Sequence, residues 1–352
     1  MYNHFGNALR LQIFGQSHGT AIGMTLEGFP SGFSVDMDAL QAFLNRRAPG
    51  QGAHTTARKE PDRPEFLSGL LNNRTCGAPI CAVIANTNTR SEDYVNLQTI
   101  LRPSHADYPA MVKYDEGYDG RGGGPFSGRL TAPLCIAGGL CLQYLQTMGI
   151  SIGAQIVQIG SVKAPRFDPI SPNIPSKYAN PTPEMLEEIA SAKAEGDSIG
   201  GCIECAVTGL PVGIGSPMFG GLENRLSQIL FGIPAIKGVE FGSGFACAEL
   251  RGSEHNDPYY VNEEQQIRTR SNHAGGILGG LSTAMPVIFR VAVKPTPSIA
   301  REQESVTLDG TAHTLEIKGR HDPCIVPRAV PCVEAAAAVA ILDAILEAKQ
   351  WT

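Results

Sequence analysis

Arg121 and Arg129 bracket a glycine triplet in residues 119–131, DGRGGGPFSGRLT. Glycines let backbone N–H groups come close to a ligand, because no Cβ stands in the way. Guanidinium forks beside such a run suit phosphate and carboxylate oxygens. An apolar, helix-like stretch follows at 133–148, and its N-terminus would favour an anion through the helix dipole. A plain glycine turn entering a helix would use the same residues.

Proton chemistry has three candidate carriers. His18 stands in GQSHG (15–19), just after a strand-like run, and His105 stands in RPSHAD (102–107). Imidazole titrates at about 6.5, so either ring can give or take a proton near neutrality. Asp107 is placed to orient the His105 ring, and Arg102 is three residues away. Asp322 in GRHDP (319–323) can act as a base or orient one. Further cations fall in Arg46-Arg47 and in the loop 55–63; the first pair also suits a helix C-terminus, and the second a solvated loop. SNHAGGILGG (271–280) permits close backbone approach, either to a flat ligand or to packed chain. KPTPS (294–298) ends a strand with a cation, two hydroxyls and two stiff prolines, which suits a phosphate or a simple turn.

These groups need a scaffold. Strand patterns are expected at 11–14, 22–27, 80–86, 150–162, 202–214 and 286–294. Helices are expected from a Ser34 cap through Arg47, from Thr182-Pro183 to a stop at Gly196, over 222–231, and over the alanine-rich 333–349. The span 164–183 reads as a surface loop. No linker or repeat divides the chain, and the order lacks a βαβ rhythm. The expectation is one mixed α/β domain over 1–352, with helices layered against antiparallel-rich sheets.

Composition narrows the function classes. The 352 residues are 42% hydrophobic and 18% charged, with a net charge of −6. A general nucleic-acid binder would carry excess basic charge, and only 7% of residues are aromatic. No membrane span or secretory signal is expected. Nine cysteines without framework spacing read as reduced thiols in a cytoplasmic protein. Cys202 and Cys205 form a CxxC without a second pair, read as packed thiols rather than a metal site. Walker A and Rossmann glycine patterns are absent, so tight nicotinamide binding has no support. An acidic protein with locally cationic loops suits a small polyanion, at about 1.5–3 kcal/mol for each charge-assisted hydrogen bond.

The six segments GQSHG, RPSHAD, DGRGGGPFSGRLT, SNHAGGILGG, KPTPS and GRHDP together resemble the chorismate synthase family, in its order and nearly end to end. The resemblance implies a β–α–β sandwich, a homotetramer, and a lyase of the shikimate pathway. The implied reaction is 1,4-anti elimination of phosphate from 5-enolpyruvylshikimate-3-phosphate, with reduced FMN and no net redox change. His18 and His105 match the family's two histidines, His18 for the departing phosphate and His105 for the flavin, and Asp322 matches the aspartate that assists proton removal. Arg47, Arg102, Arg129 and Arg320 match substrate arginines, Arg320 also lying near the flavin. Ser127, Gly279, Lys294, Thr296 and Ser298 match flavin positions, together with Pro295 and Pro297. Members either reduce FMN with NADPH themselves or depend on an external flavin reductase. The chain departs from many members at Gln16 (glutamate), at Pro125-Phe126 (Arg-Ser), where Phe126 is expected to pack on the flavin ring, and at Ala53 (arginine), where Arg58 is expected to compensate. Two other readings of the pocket are a flavin-dependent oxidoreductase with net redox and a non-catalytic anion-binding homologue.

Overall fold

The computed structural model describes residues 4–50, 62–86, 100–174, 181–317 and 322–349. Its N-terminal part contains β1 (His4–Phe5), β2 (Arg10–Gly15), β3 (Ala21–Glu27), helix α1 (Met37–Arg47), β4 (Glu65–Ser68), the ribbon β5 (Leu70–Leu71) and β6 (Arg74–Thr75), and β7 (Ile80–Ala85). Five of these strands make one antiparallel sheet in the order β1-β2-β3-β7-β4. Helix α2 (Asp107–Tyr114), short 3-10 turns at Arg121–Phe126 and Gly128–Leu130, and α3 (Thr131–Thr147) follow.

The C-terminal part begins with β8 (Ser151–Ile159), β9 (Val162–Lys163), α4 (Pro183–Ala194), β10 (Gly201–Thr208), α5 (Leu222–Phe231), β11 (Ile236–Phe241) and α6 (Gly252–His255). Ribbons β12 (Tyr259–Val261)/β13 (Ile267–Thr269) and β14 (Ile277–Leu278)/β15 (Leu281–Ser282) precede β16 (Val287–Val293). The chain ends with the ribbon β17 (Gln303–Val306)/β18 (Ala312–Leu315) and α7 (Val326–Ala348). The second sheet has the order β11-β16-β10-β8-β9 and is also antiparallel throughout.

Helices α3 and α7 pack on each other between the sheets, α3 toward β3 and β7, α7 toward β8 and β10. Small residues permit this. A Cβ on Gly138 of α3 would run into Ala335 of α7, within a fully buried alanine run. Around that seam Ile136, Leu140, Val339, Ile341 and Leu342 are excluded from water, each contributing roughly 1.5–3 kcal/mol. The apolar length of α7 would suffice to cross a membrane, but it is buried in the protein. The expected β–α–β layering is therefore the architecture found.

Most boundaries fall near expectation, and the exceptions have local causes. Asp36, not Ser34, caps α1, its carboxylate accepting from the Ala39 amide; Ser34 instead bridges to Arg74. Thr182 caps α4 as expected. The 150–162 run breaks at Gly160, whose positive φ turns β8 into β9. The 202–214 run ends at Thr208, before the left-handed Gly209. Helix α7 begins at Val326, seven residues early, because Pro327 sits in the first turn where its missing N–H costs nothing. Cys205 is a core residue of β10, and among the described residues no group of His, Cys, Asp or Glu is arranged to hold a metal.

Candidate active site

The glycine triplet is the surface against which both histidines rest. Gly122, Gly123 and Gly124 have φ of 60°, 89° and 53°, a left-handed run that side chains resist. A Cβ on Gly122 would occupy the space of the His18 imidazole, and one on Gly123 would stand 3.3 Å from Nε2 of His105. The GQSHG turn is held there by the Ser17 amide donating to the Gly124 carbonyl at 3.2 Å. Asn86 fixes the turn from its other side, donating to the carbonyls of Gln16 at 3.1 Å and Gly19 at 2.9 Å.

His105 is oriented from behind. Its Nδ1 lies 2.7 Å from Asp107 Oδ1. Arg102 grips the same carboxylate through Nε at 2.6 Å and Nη2 at 2.7 Å. With Nδ1 committed to Asp107, Nε2 is the atom turned to the glycine loop. Burial pushes the Asp107 carboxyl up, but bonds from Arg102 and His105 outweigh it and hold it well below the usual range. Tyr118 is pushed up to about 12 by burial and then by the Asp107 charge, so its phenol stays neutral beside the pair.

A second cluster lies at the start of α3. Arg47, only 2% exposed, donates to Asp62 Oδ2 through Nη2 at 2.6 Å and Nε at 3.1 Å. Its Nη1 reaches Thr131 Oγ1 at 3.1 Å and the Gly128 carbonyl at 3.4 Å. Arg129 Nη1 takes the other oxygen of Asp62, and Arg129 Nε reaches Asn86 Oδ1 at 3.3 Å. Ser127 Oγ accepts from the Arg129 amide at 3.3 Å. Beside Gly128 a Cβ would meet open space.

Asp322 closes the ring of loops. Arg328 Nη1 donates to its Oδ2, and Arg328 Nε donates to the Arg47 carbonyl at 3.0 Å. Thr296 Oγ1 donates to the Asp322 carbonyl at 3.0 Å, which ties the 294–298 segment to this loop. Lys294 Nζ donates to the Ser104 carbonyl at 2.6 Å, beside His105. Burial, and after it Lys237, pull the Lys294 ammonium below its ordinary value.

Known proteins bear on this arrangement. The chorismate synthase family model matches residues 9–346. The chain belongs to the chorismate synthase family. Chorismate synthase from Dehalococcoides mccartyi strain BAV1 is 45% identical over 99% of this chain and 98% of its own. The Phocaeicola vulgatus chorismate synthase is 46% identical over 97% of both. A crystal structure of chorismate synthase superposes with a TM-score of 0.75 at 28% identity, covering 97% of this chain and 93% of that one. Membership makes the protein a lyase of the shikimate pathway.

Of the residues matched to the chorismate synthase pattern, His18, His105, Arg47, Arg102, Arg129, Asp322, Ser127, Lys294 and Thr296 fall in this connected set of loops. Arg102 serves it by holding Asp107. Phe126 is 39% exposed and leans on Tyr114 and Tyr118, ring centroids 6.5 and 6.3 Å away. Gly279 turns the β14–β15 ribbon, whose neighbours are Gly215, Ser216 and Gly221, and so lies on another part of the surface. Arg320, Ala53 and Arg58 lie outside the described residues. Sequence reading gave no role to Asp62, Asn86, Thr131 or Arg328. Asp62 lay in a loop read as solvated, Asn86 at the end of an expected strand, and Arg328 ahead of the expected last helix; what marks Asp62 is its complete burial, which is not written in the motif.

Proposed function

We propose that this protein converts 5-enolpyruvylshikimate-3-phosphate to chorismate and inorganic phosphate by 1,4-anti elimination, through one chain-long catalytic domain. The observation that carries this reading is the pairing of two imidazoles across a bare glycine wall with a cationic cluster at the start of α3. Cations at a helix N-terminus add to the positive end of its dipole, so this corner favours an anion.

We assign the roles by the resemblance, and the contacts support them. Arg47 and Arg129 hold the substrate's anionic groups. His18 holds the proton delivered to the departing phosphate oxygen as the C–O bond breaks. Asp322 assists removal of the ring proton, and its carboxylate is kept in place by Arg328. His105 presents Nε2 with Asp107 behind it.

Reduced FMN is the implied cofactor, and the residues fit it: open space beside Gly128 flanked by the Ser127 hydroxyl, with the Lys294 cation and Thr296 hydroxyl on the loop that adjoins His105. When bound, it supplies an electron transiently to ease phosphate departure and recovers it as the proton leaves. Ser127, Lys294, Pro295, Thr296, Pro297 and Ser298 would hold it. Gly279 sits elsewhere on the protomer, so its part in flavin binding fits a homotetramer, with the ribbon of one copy meeting the loops of another. Large exposed apolar side chains, Met218, Phe219, Phe245 and Tyr259 among them, support such an assembly.

The test is anaerobic turnover of 5-enolpyruvylshikimate-3-phosphate followed by chorismate absorbance. With chemically reduced FMN, product is expected. With oxidised FMN plus NADPH, product means that the chain reduces its own flavin, and none means that an external flavin reductase is needed. No product in either tube from folded protein would overturn the reading.

A further inference from the structure

We infer that Asp62 is a positioning residue for the substrate's anion, the shared anchor that makes Arg47 and Arg129 one rigid cradle; this deepens the proposed function and rests on it. Asp62 is completely buried, with φ of 43°, a conformation that a non-glycine residue adopts at a cost of about 1 kcal/mol or more. Its two oxygens serve different arginines: Oδ2 takes Nε and Nη2 of Arg47, and Oδ1 takes Nη1 of Arg129. Burial pushes the carboxyl up, yet the charges of Arg47 and Arg129 outweigh this and hold it below the usual range, so it is ionised.

Two features separate this from an ordinary buried ion pair. One carboxylate holds two guanidinium groups, each through a different oxygen. The cluster is also the centre of a continuous chain of hydrogen bonds. One arm runs from Arg47 through its carbonyl to Arg328 and Asp322. The other runs from Arg129 through Asn86 to the carbonyls of Gln16 and Gly19, which flank His18. Asp62 thus sets both arginines and, through them, the spacing between the loop that bears the base and the turn that bears the acid.

A carboxylate near an anion site has two opposite consequences. Its charge repels the substrate, while its hydrogen bonds align the arginines that attract it. The Asp62→Asn variant separates them. Removing the charge alone would tighten substrate binding; losing alignment weakens it. We expect KM for 5-enolpyruvylshikimate-3-phosphate to rise about tenfold to a hundredfold, the equivalent of one charge-assisted hydrogen bond. The Kd, read from the spectral change of enzyme-bound oxidised FMN on adding the same substrate, should rise in step.

An unchanged or lower KM in folded Asp62→Asn protein overturns the proposal. Should that variant fail to fold, Asp62→Glu decides. It keeps the charge and shifts its position by one methylene, so the proposal expects a raised KM with a near wild-type melting temperature, and an unchanged KM overturns it. Wild-type enzyme runs in parallel. Loss of turnover in wild type would count against the elimination chemistry itself, whereas active wild type with an insensitive Asp62 variant counts only against this role.

Discussion

Two buried ion clusters border helix α7, and their charge balance is opposite. Near its N-terminal end, Arg47 and Arg129 share Asp62. Near its C-terminal end, Arg225 is shared by Asp343 and Glu347. The second cluster has an excess of negative charge, but the protein satisfies it internally. Asp343 Oδ1 accepts the amides of Asn7, Ala8 and Leu9 at 2.9, 2.8 and 2.9 Å, so the N-terminal segment is pinned to the last helix. The first cluster meets the N-terminus of α3, whose dipole adds to its positive charge. In the C-terminal cluster backbone amides answer the carboxylates; in the N-terminal one the arginines stand at a helix start, where we propose that the substrate's anion binds.

The comparison breaks most sharply at Arg225. Arg225→Met leaves Asp343 and its amides without their cation, and losing one partner of a buried pair costs about 3–5 kcal/mol. We expect a large fall in the denaturation midpoint, with KM unchanged in the protein that remains folded. A raised KM without loss of stability would show that the C-terminal cluster is not merely structural.

Gly122→Ala should act the other way round. The new methyl group enters the space of the His18 ring, and a misplacement of about 1 Å at a reacting group can cost about a hundredfold in rate. The left-handed φ adds only about 1–2 kcal/mol of strain. Activity should therefore fall by about two orders of magnitude with a modest change in melting temperature. Wild-type turnover in this variant would mean that the imidazole is not held against the glycine wall during catalysis.

Much of this was legible beforehand because chemistry and glycine leave marks in sequence. His18, His105 and the triplet stood out by residue type, and the Asp107–His105 contact was expected from a spacing of two residues. The helix and strand cores were legible because their apolar residues recur with the right period. What stayed hidden is what depends on distance in the chain. Asp62 meets Arg129 across 67 residues, and Arg328 meets Arg47 across 281. No local pattern encodes such a pairing. The start of α7 was misplaced because Pro327 and Pro331 look like breakers, although the first lies in the opening turn and the second is buried with its helix against the core.

The smallest expected effect concerns acid. Asp107 and Asp62 both have folded-state pKa values below the unfolded value of about 3.9. The unfolded chain therefore binds more protons than the folded one in the acid range. Their contribution to stability is fully present above that unfolded value and is lost as pH falls through the folded values, by up to about 1.4 kcal/mol per pH unit for each group. In Asp107→Asn this term is absent for one group. The variant should be less stable than wild type at pH 7, because Arg102 loses its buried partner. Below about pH 4 the gap should narrow, since the unfolded wild-type chain then takes up a proton at Asp107 that the folded carboxylate still resists. Urea midpoints at pH 7, 5, 4 and 3 for both proteins measure this directly. A gap that stays constant to pH 3 would mean that Asp107 gains nothing from its charge, and that Arg102 and His105 hold it by geometry alone.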